Sequence, residues 1–122
     1  MKQHHVAVIA AERDRTVRFY ETLGFSVTAE HDRPDKRDRL LLMTDGETVL
    51  EVFVKPDAPK RLSYPEACGL RHIAFRPEDL DSLFLRLEKS GYAPEPIRTD
   101  PFTGERMTFV NDPDGLPIEF HE

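Results

Sequence analysis

ETLGF, at Glu21 to Phe25, returns later in the chain as EKSGY, at Glu88 to Tyr92. The glutamate, the glycine and the closing aromatic keep their places. Each copy ends a segment with helical spacing. Val17, Tyr20 and Leu23 recur on one face before Gly24, and Leu80, Leu83, Phe84 and Leu87 form one stripe before Gly91. Helices commonly end in a residue of positive φ, which glycine adopts without steric penalty, so Gly24 and Gly91 read as caps. The match extends outward. His5 and His72, Glu21 and Glu88, Gly24 and Gly91, and Phe25 and Tyr92 each stand 67 positions apart, and Glu51 and Glu119 stand 68 apart. One residue of drift across several loops points to a duplicated module.

The flanking segments share an order. HHVAVIA (His4 to Ala10) is apolar and β-branched, so it reads as a strand ahead of the first helix. Ser26 to Glu30 is expected to be a short strand and HDRPDKRD (His31 to Asp38) a charged loop. Arg39 to Met43 and Thr48 to Val54 are strands joined at Asp45-Gly46, a hairpin signal. Residues 55–69 carry Pro56, Pro59 and Pro65 without periodicity and read as a linker. Leu70 to Phe75 then begins the order again. A helix follows across Pro77 to Tyr92, then a short strand near Pro96 to Arg98. Arg106 to Val110 and Leu116 to Phe120 are strands flanking the Asp114-Gly115 turn. The expected fold class is α+β, two tandem βαβββ modules in a single domain: module 1 at 1–54, the linker at 55–69 and module 2 at 70–122. A module this small buries too little apolar surface to stand alone, so the two are expected to share a core.

Composition narrows the function. The 122 residues are 39% hydrophobic and 33% charged, a globular balance. The net charge of -6 argues against a nucleic-acid partner, which needs a basic face. The single cysteine, Cys68, rules out an intramolecular disulfide framework, and no neighbouring residue would activate its thiol. No apolar stretch approaches membrane-spanning length and no N-terminal signal pattern appears, so no membrane partner and a cytoplasmic location are expected.

Strand side chains alternate faces. In the opening strand Val6 and Val8 share one face, and His5, Ala7 and Ile9 the other. In its twin Ile73 and Phe75 share one face, and His72, Ala74 and Arg76 the other. Twice, a histidine is followed on its face by a small alanine, which leaves room for a bound group. Glu51 and Glu119 interrupt the apolar strands VLEVF and LPIEF. Buried carboxylates need a positive partner: a protonated histidine, an arginine or a metal ion. His5, Glu51, His72 and Glu119 together make a four-donor set for one divalent cation, with nitrogen and oxygen donors that suit Zn²⁺, Ni²⁺, Co²⁺, Mn²⁺ or Fe²⁺. His4 faces away from His5, His31 lies in the charged loop, and His121 shares the face of Glu119 with no role assigned.

HHVAVIA, FYETLGF, LEVF, LRHIAF and DPDGLPIEF, in this order and spacing, resemble the vicinal oxygen chelate superfamily of glyoxalase I, bleomycin-resistance proteins and extradiol dioxygenases, across nearly the whole chain. The likeness is closest to small bacterial glyoxalase I-like proteins. It implies two βαβββ modules whose sheets form an open, half-barrel mixed sheet around a metal, within one chain or across a homodimer. It implies metal ligands at His5, Glu51, His72 and Glu119, with Zn²⁺ or Ni²⁺ foremost. It also implies that Glu119 or Glu51 shuttles a proton between adjacent carbons of a small carbonyl or thiol-adduct substrate, through an enediolate. The alternatives within the resemblance are an epimerase, a dioxygenase, or a non-enzymatic binding or resistance protein. Glyoxalase I typically carries Arg four residues after its first ligand and Asn four after its second. This chain has Ile9 and Lys55, which departs from the glutathione-binding pattern. Arg76, Arg98 and Arg106 are candidates for recognising an acidic substrate instead.

Overall fold

The computed structural model describes residues 1–122. Two compact units divide them, Met1–Lys60 and Arg61–Glu122. The first unit runs β1 (Val6–Ala10), α1 (Arg13–Thr22), β2 (Ser26–Arg33), β3 (Asp38–Thr44) and β4 (Val49–Val54). The second runs β5 (Ile73–Phe75), α2 (Leu80–Lys89), β6 (Arg98–Thr99), β7 (Arg106–Asn111) and β8 (Pro117–His121). Both are β-α-β-β-β, and each forms an open four-stranded mixed sheet, in the orders β1-β4-β3-β2 and β5-β8-β7-β6. In each the first strand runs parallel to the last, while the remaining neighbours are antiparallel. A parallel pair needs a crossover connection, which the helix and the intervening strands supply. The fold is α+β, as the repeat led us to expect.

One face of each sheet is apolar and buried. In the first unit this face is Val8, Ala10, Leu41, Met43, Leu50 and Val52, with Val17, Phe19 and Tyr20 from α1 buried alongside. In the second it includes Ile73, Val110, Ile118 and Phe120, with Leu80, Leu83 and Leu87 from α2. Each Val, Leu, Ile, Met or Phe among them contributes about 1.5–3 kcal/mol on burial. Gly24 and Gly91 follow the helix caps Leu23 and Ser90 with φ of +99° and +86°.

Three expectations change. Phe19, fully buried and edge-on to Tyr20, belongs to the α1 stripe in place of Leu23, which is the cap. The second helix begins at Leu80, because the Asp79 carboxylate accepts a hydrogen bond from the Ser82 amide and caps it there, leaving Pro77 outside. The charged segment His31 to Asp38 is not a loop. β2 continues to Arg33, a 3-10 turn occupies Pro34–Lys36, and β3 starts at Asp38. Its charges pair across the hairpin, Arg33 with Asp38 and Arg39 with Asp32. Charged side chains also suit an exposed edge strand, where they discourage pairing with another sheet.

Candidate functional site

His5 and His72 each stand one residue before a strand rather than inside it. The register then repeats in both units. Ala7 pairs with Glu51, and Ala74 pairs with Glu119, so each glutamate lies beside the alanine two residues past the histidine. The side chains meet. His5 Nε2 lies 3.4 Å from Glu51 Oε2, and His72 Nε2 lies 2.9 Å from Glu119 Oε2. Ala7 and Ala74 are exposed, as a face left open for a bound group requires. The two pairs differ in cover. The Glu51 side chain is 25% exposed and that of Glu119 11%.

In the first unit the row across the sheet is Ala7, Glu51 and Leu42, and the next row is Ile9, Phe53 and Leu40. Ile9 is 56% exposed, so an apolar surface stands four residues past His5. Lys55 has a defined partner. Its Nζ lies 2.6 Å from Asp38 Oδ2, while Arg33 donates to both Asp38 oxygens at 2.7 and 2.9 Å and lies over the Phe53 ring at 4.7 Å. The Lys55 ammonium is therefore committed to a side chain that is itself fully covered.

The Arg33 guanidinium, and then the Lys55 ammonium, hold the Asp38 carboxyl down at about 2. The folded value lies below that of the unfolded chain, so the charged form stabilises the fold. That contribution is complete above the ordinary carboxylate range and is lost as pH falls through about 2. Thermal midpoints measured from pH 6 to pH 2 should therefore fall less steeply in Asp38→Asn than in the parent chain. Asp38→Asn should also lower the midpoint at neutral pH more than Asp32→Asn does, since Asp32 is 69% exposed. Parallel pH profiles would contradict this role.

In the second unit the corresponding row is Ala74, Glu119 and Phe109. The Phe109 ring meets the His72 ring edge-on, with centroids 5.4 Å apart. His121, two residues past Glu119 on the same face, lies 4.0 Å from Glu119 Oε1 through Nε2. Its Nε2 also lies 3.2 Å from Asp100 Oδ2, and its Nδ1 3.1 Å from Glu105 Oε2. The Glu122 carbonyl, then Asp100, push the His121 imidazole up, towards its charged form. Period-two alternation put His121 on this face, but its acidic neighbours come from the β6–β7 connection, which spacing alone does not bring near.

The structure thus brings each predicted histidine onto the predicted glutamate of its own unit. Neither unit by itself gathers three or more His, Cys, Asp or Glu side chains in an arrangement for a metal. His4 Nδ1 lies 2.8 Å from His5 Nδ1, so His4 is a neighbour of the site despite its opposite parity. His31 lies on β2, exposed. Arg106 is held by Asp81 and Glu122, and Arg76 donates to the Glu122 carbonyl. Of the three arginine candidates Arg98 lines a pocket, where it joins Arg61 and Arg71. Those last two lie in and just after the proline-rich segment, whose lack of periodicity concealed them.

The family model of the Glyoxalase/Bleomycin resistance protein/Dioxygenase superfamily matches residues 2–120. The chain belongs to this superfamily. Members of the superfamily commonly bind a divalent metal. This member is 45% identical to the uncharacterized protein YwkD of Bacillus subtilis (strain 168) over 121 residues, which is 98% of this chain and 94% of the relative. A solved glyoxalase family protein from Enterococcus faecalis is 48% identical, with a TM-score of 0.94 across 99% of this chain and 97% of that one. The trypanothione-dependent glyoxalase I of Leishmania major is 29% identical, with a TM-score of 0.75 across 97% of this chain and 84% of that one. No helix of this superfamily member is long and apolar enough to cross a membrane.

Proposed function

We propose that the protein is a metal-dependent, glyoxalase I-like lyase or isomerase, with His5, Glu51, His72 and Glu119 holding one divalent cation, Zn²⁺ or Ni²⁺ foremost. The observation that carries this reading is the same His Nε2–Glu Oε2 contact at the same register in both units. The donor chemistry fits. Imidazole nitrogen and carboxylate oxygen are ordinary ligands of these ions, and a divalent site usually draws three or four protein ligands. One pair supplies two, so both pairs are needed, from one chain or from two chains of a homodimer.

When bound, a divalent cation supplies Lewis-acid stabilisation of negative charge developing on two neighbouring substrate oxygens. The remaining work falls to the chain. His72, braced edge-on by Phe109, and His5 orient the site through their ring nitrogens. Glu119 has the more covered of the two carboxylates and is the group we assign to take a proton from one substrate carbon and return it to the next. Glu51, more exposed, completes the donor set. Ile9 presents no cation and Lys55 is occupied by Asp38, so the substrate is a small carbonyl or thiol adduct bound by other means than the glutathione pattern.

Metal content per chain, by elemental mass spectrometry on untagged protein purified without chelator, tests the reading. The parent chain should hold about one transition-metal ion, as one four-donor site requires. His5→Ala and His72→Ala should each remove nearly all of it. If each variant merely halves the content, the pairs act separately. If the parent neither contains nor takes up zinc or nickel, the metalloenzyme reading fails, and the two pairs are His–Glu contacts within a binding module.

A further inference from the structure

Beside the His72–Glu119 pair the second unit holds a pocket of about 280 Å³. This is near the lower end for small-molecule sites. Its floor is the sheet face that carries Glu119. Phe109 lies opposite Glu119 in the β7–β8 register, and Pro117 precedes Glu119 by two residues on the same strand. Its rim is the segment from Arg61 to Ala67, which forms neither helix nor strand. Phe109 thus belongs both to the pocket floor and, through its ring contact with His72, to the site.

The lining has a charge excess. Arg61, Arg71 and Arg98 face Glu66 and Glu95, on a chain whose net charge is -6. Arg61 is committed to structure, donating to the Leu70 and Arg71 carbonyls at 2.7 and 3.0 Å. The other two are loosely held. Arg71 pairs with Glu66 at 2.7 Å and Arg98 with Glu95 at 3.6 Å, with more than half of every one of these side chains exposed. Exposed pairs of this kind contribute little, so either guanidinium can exchange its carboxylate for a ligand's oxyanion at small cost. The guanidinium fork matches carboxylate and phosphate alike. Arg98 also lies over the Phe109 ring, 5.7 Å from its centroid, which directs its charge towards the pocket floor.

We propose that this pocket binds the oxyanion end, carboxylate or phosphate, of a small substrate whose apolar body rests on Phe109 and whose reacting carbons face His72 and Glu119. The proposal rests on reading that pair as the reaction site, and it names the substrate's chemical class. The probes are 3-phenylpropionate, phenyl phosphate and the neutral 3-phenylpropionamide. Each is titrated into the full-length chain and followed by amide chemical shifts. At least one anion should bind, with shifts centred on Phe109, Asn111 and Arg98, and the amide at least about tenfold more weakly. Arg98→Gln and Arg71→Gln should each weaken the anion about tenfold while leaving spectral dispersion intact, since both side chains are exposed. The tighter of the two anions identifies the source. Equal binding of amide and anion, or an Arg98→Gln variant that binds like the parent, overturns the proposal. His5→Ala separates the readings. Anion binding that survives in this variant supports the pocket whether or not the metal reading stands. In the parent chain, normal metal loading without anion binding rejects the pocket alone.

Discussion

Glu119→Gln should lower turnover by about 10²–10⁴-fold in protein kept saturated with metal, with KM little changed. The assay is isomerisation of hemithioacetals formed from methylglyoxal and a panel of small thiols. Glutamine keeps the shape and an oxygen donor but cannot carry the proton. The loss should therefore fall on kcat, as expected for a group that acts in the transition state. Burial sharpens the contrast with Glu51. The Glu119 side chain is 11% exposed and pressed to His72 at 2.9 Å, whereas that of Glu51 is 25% exposed at 3.4 Å from His5. Saturated with metal, Glu51→Gln should lose less turnover than Glu119→Gln. The reverse order would exchange the two roles. An unchanged rate in Glu119→Gln would remove Glu119 from the chemistry altogether.

Phe120→Ala should destabilise the fold by about 3–5 kcal/mol, measured by urea unfolding. Phe120 is 2% exposed and pairs with Phe75 on one side and Thr108 on the other, at the centre of the second sheet's apolar face. Truncation removes a ring and leaves a cavity that rigid strands close poorly. Against a typical total of about 5–15 kcal/mol, this is a large share. The strand concerned also carries Glu119 and His121 on its opposite face, so the loss should be accompanied by weaker metal retention. Phe102→Ala serves as the comparison. Phe102 is 95% exposed, and its loss should change stability by less than about 0.5 kcal/mol. Equal effects from the two substitutions would contradict the placement of Phe120 in the core.

Much of this protein was legible as written. The paired ETLGF and EKSGY segments, the nearly constant offset between copies and the alternation of large apolar residues with His and Ala in each opening strand led to two β-α-β-β-β units with a polar group on the open face. These signals are local. Helical period, strand alternation and glycine caps depend on residues a few positions apart, and duplication states each of them twice. The misread segments have equally physical causes. His31 to Asp38 looked like a loop because an edge strand stabilised by cross-strand ion pairs carries no apolar alternation. Leu23 falls in the helical spacing of Val17 and Tyr20 although it is the cap, because a cap position can coincide with the helical period.

What only the tertiary structure decided are the partnerships between distant residues. Glu51 meets His5, and Glu119 meets His72, because the closing strand lies parallel to the opening one, a pairing that spans most of a unit. Lys55 is drawn to Asp38, so its charge is spent on the fold rather than on a ligand. Arg61, Arg71, Arg98 and Phe109 surround one pocket although an aperiodic segment and several elements separate them in the chain. Local propensity carries no information about such contacts. They are set by strand order and register, which follow from burying one apolar face of each sheet, and the open face receives whatever side chains that choice leaves outside.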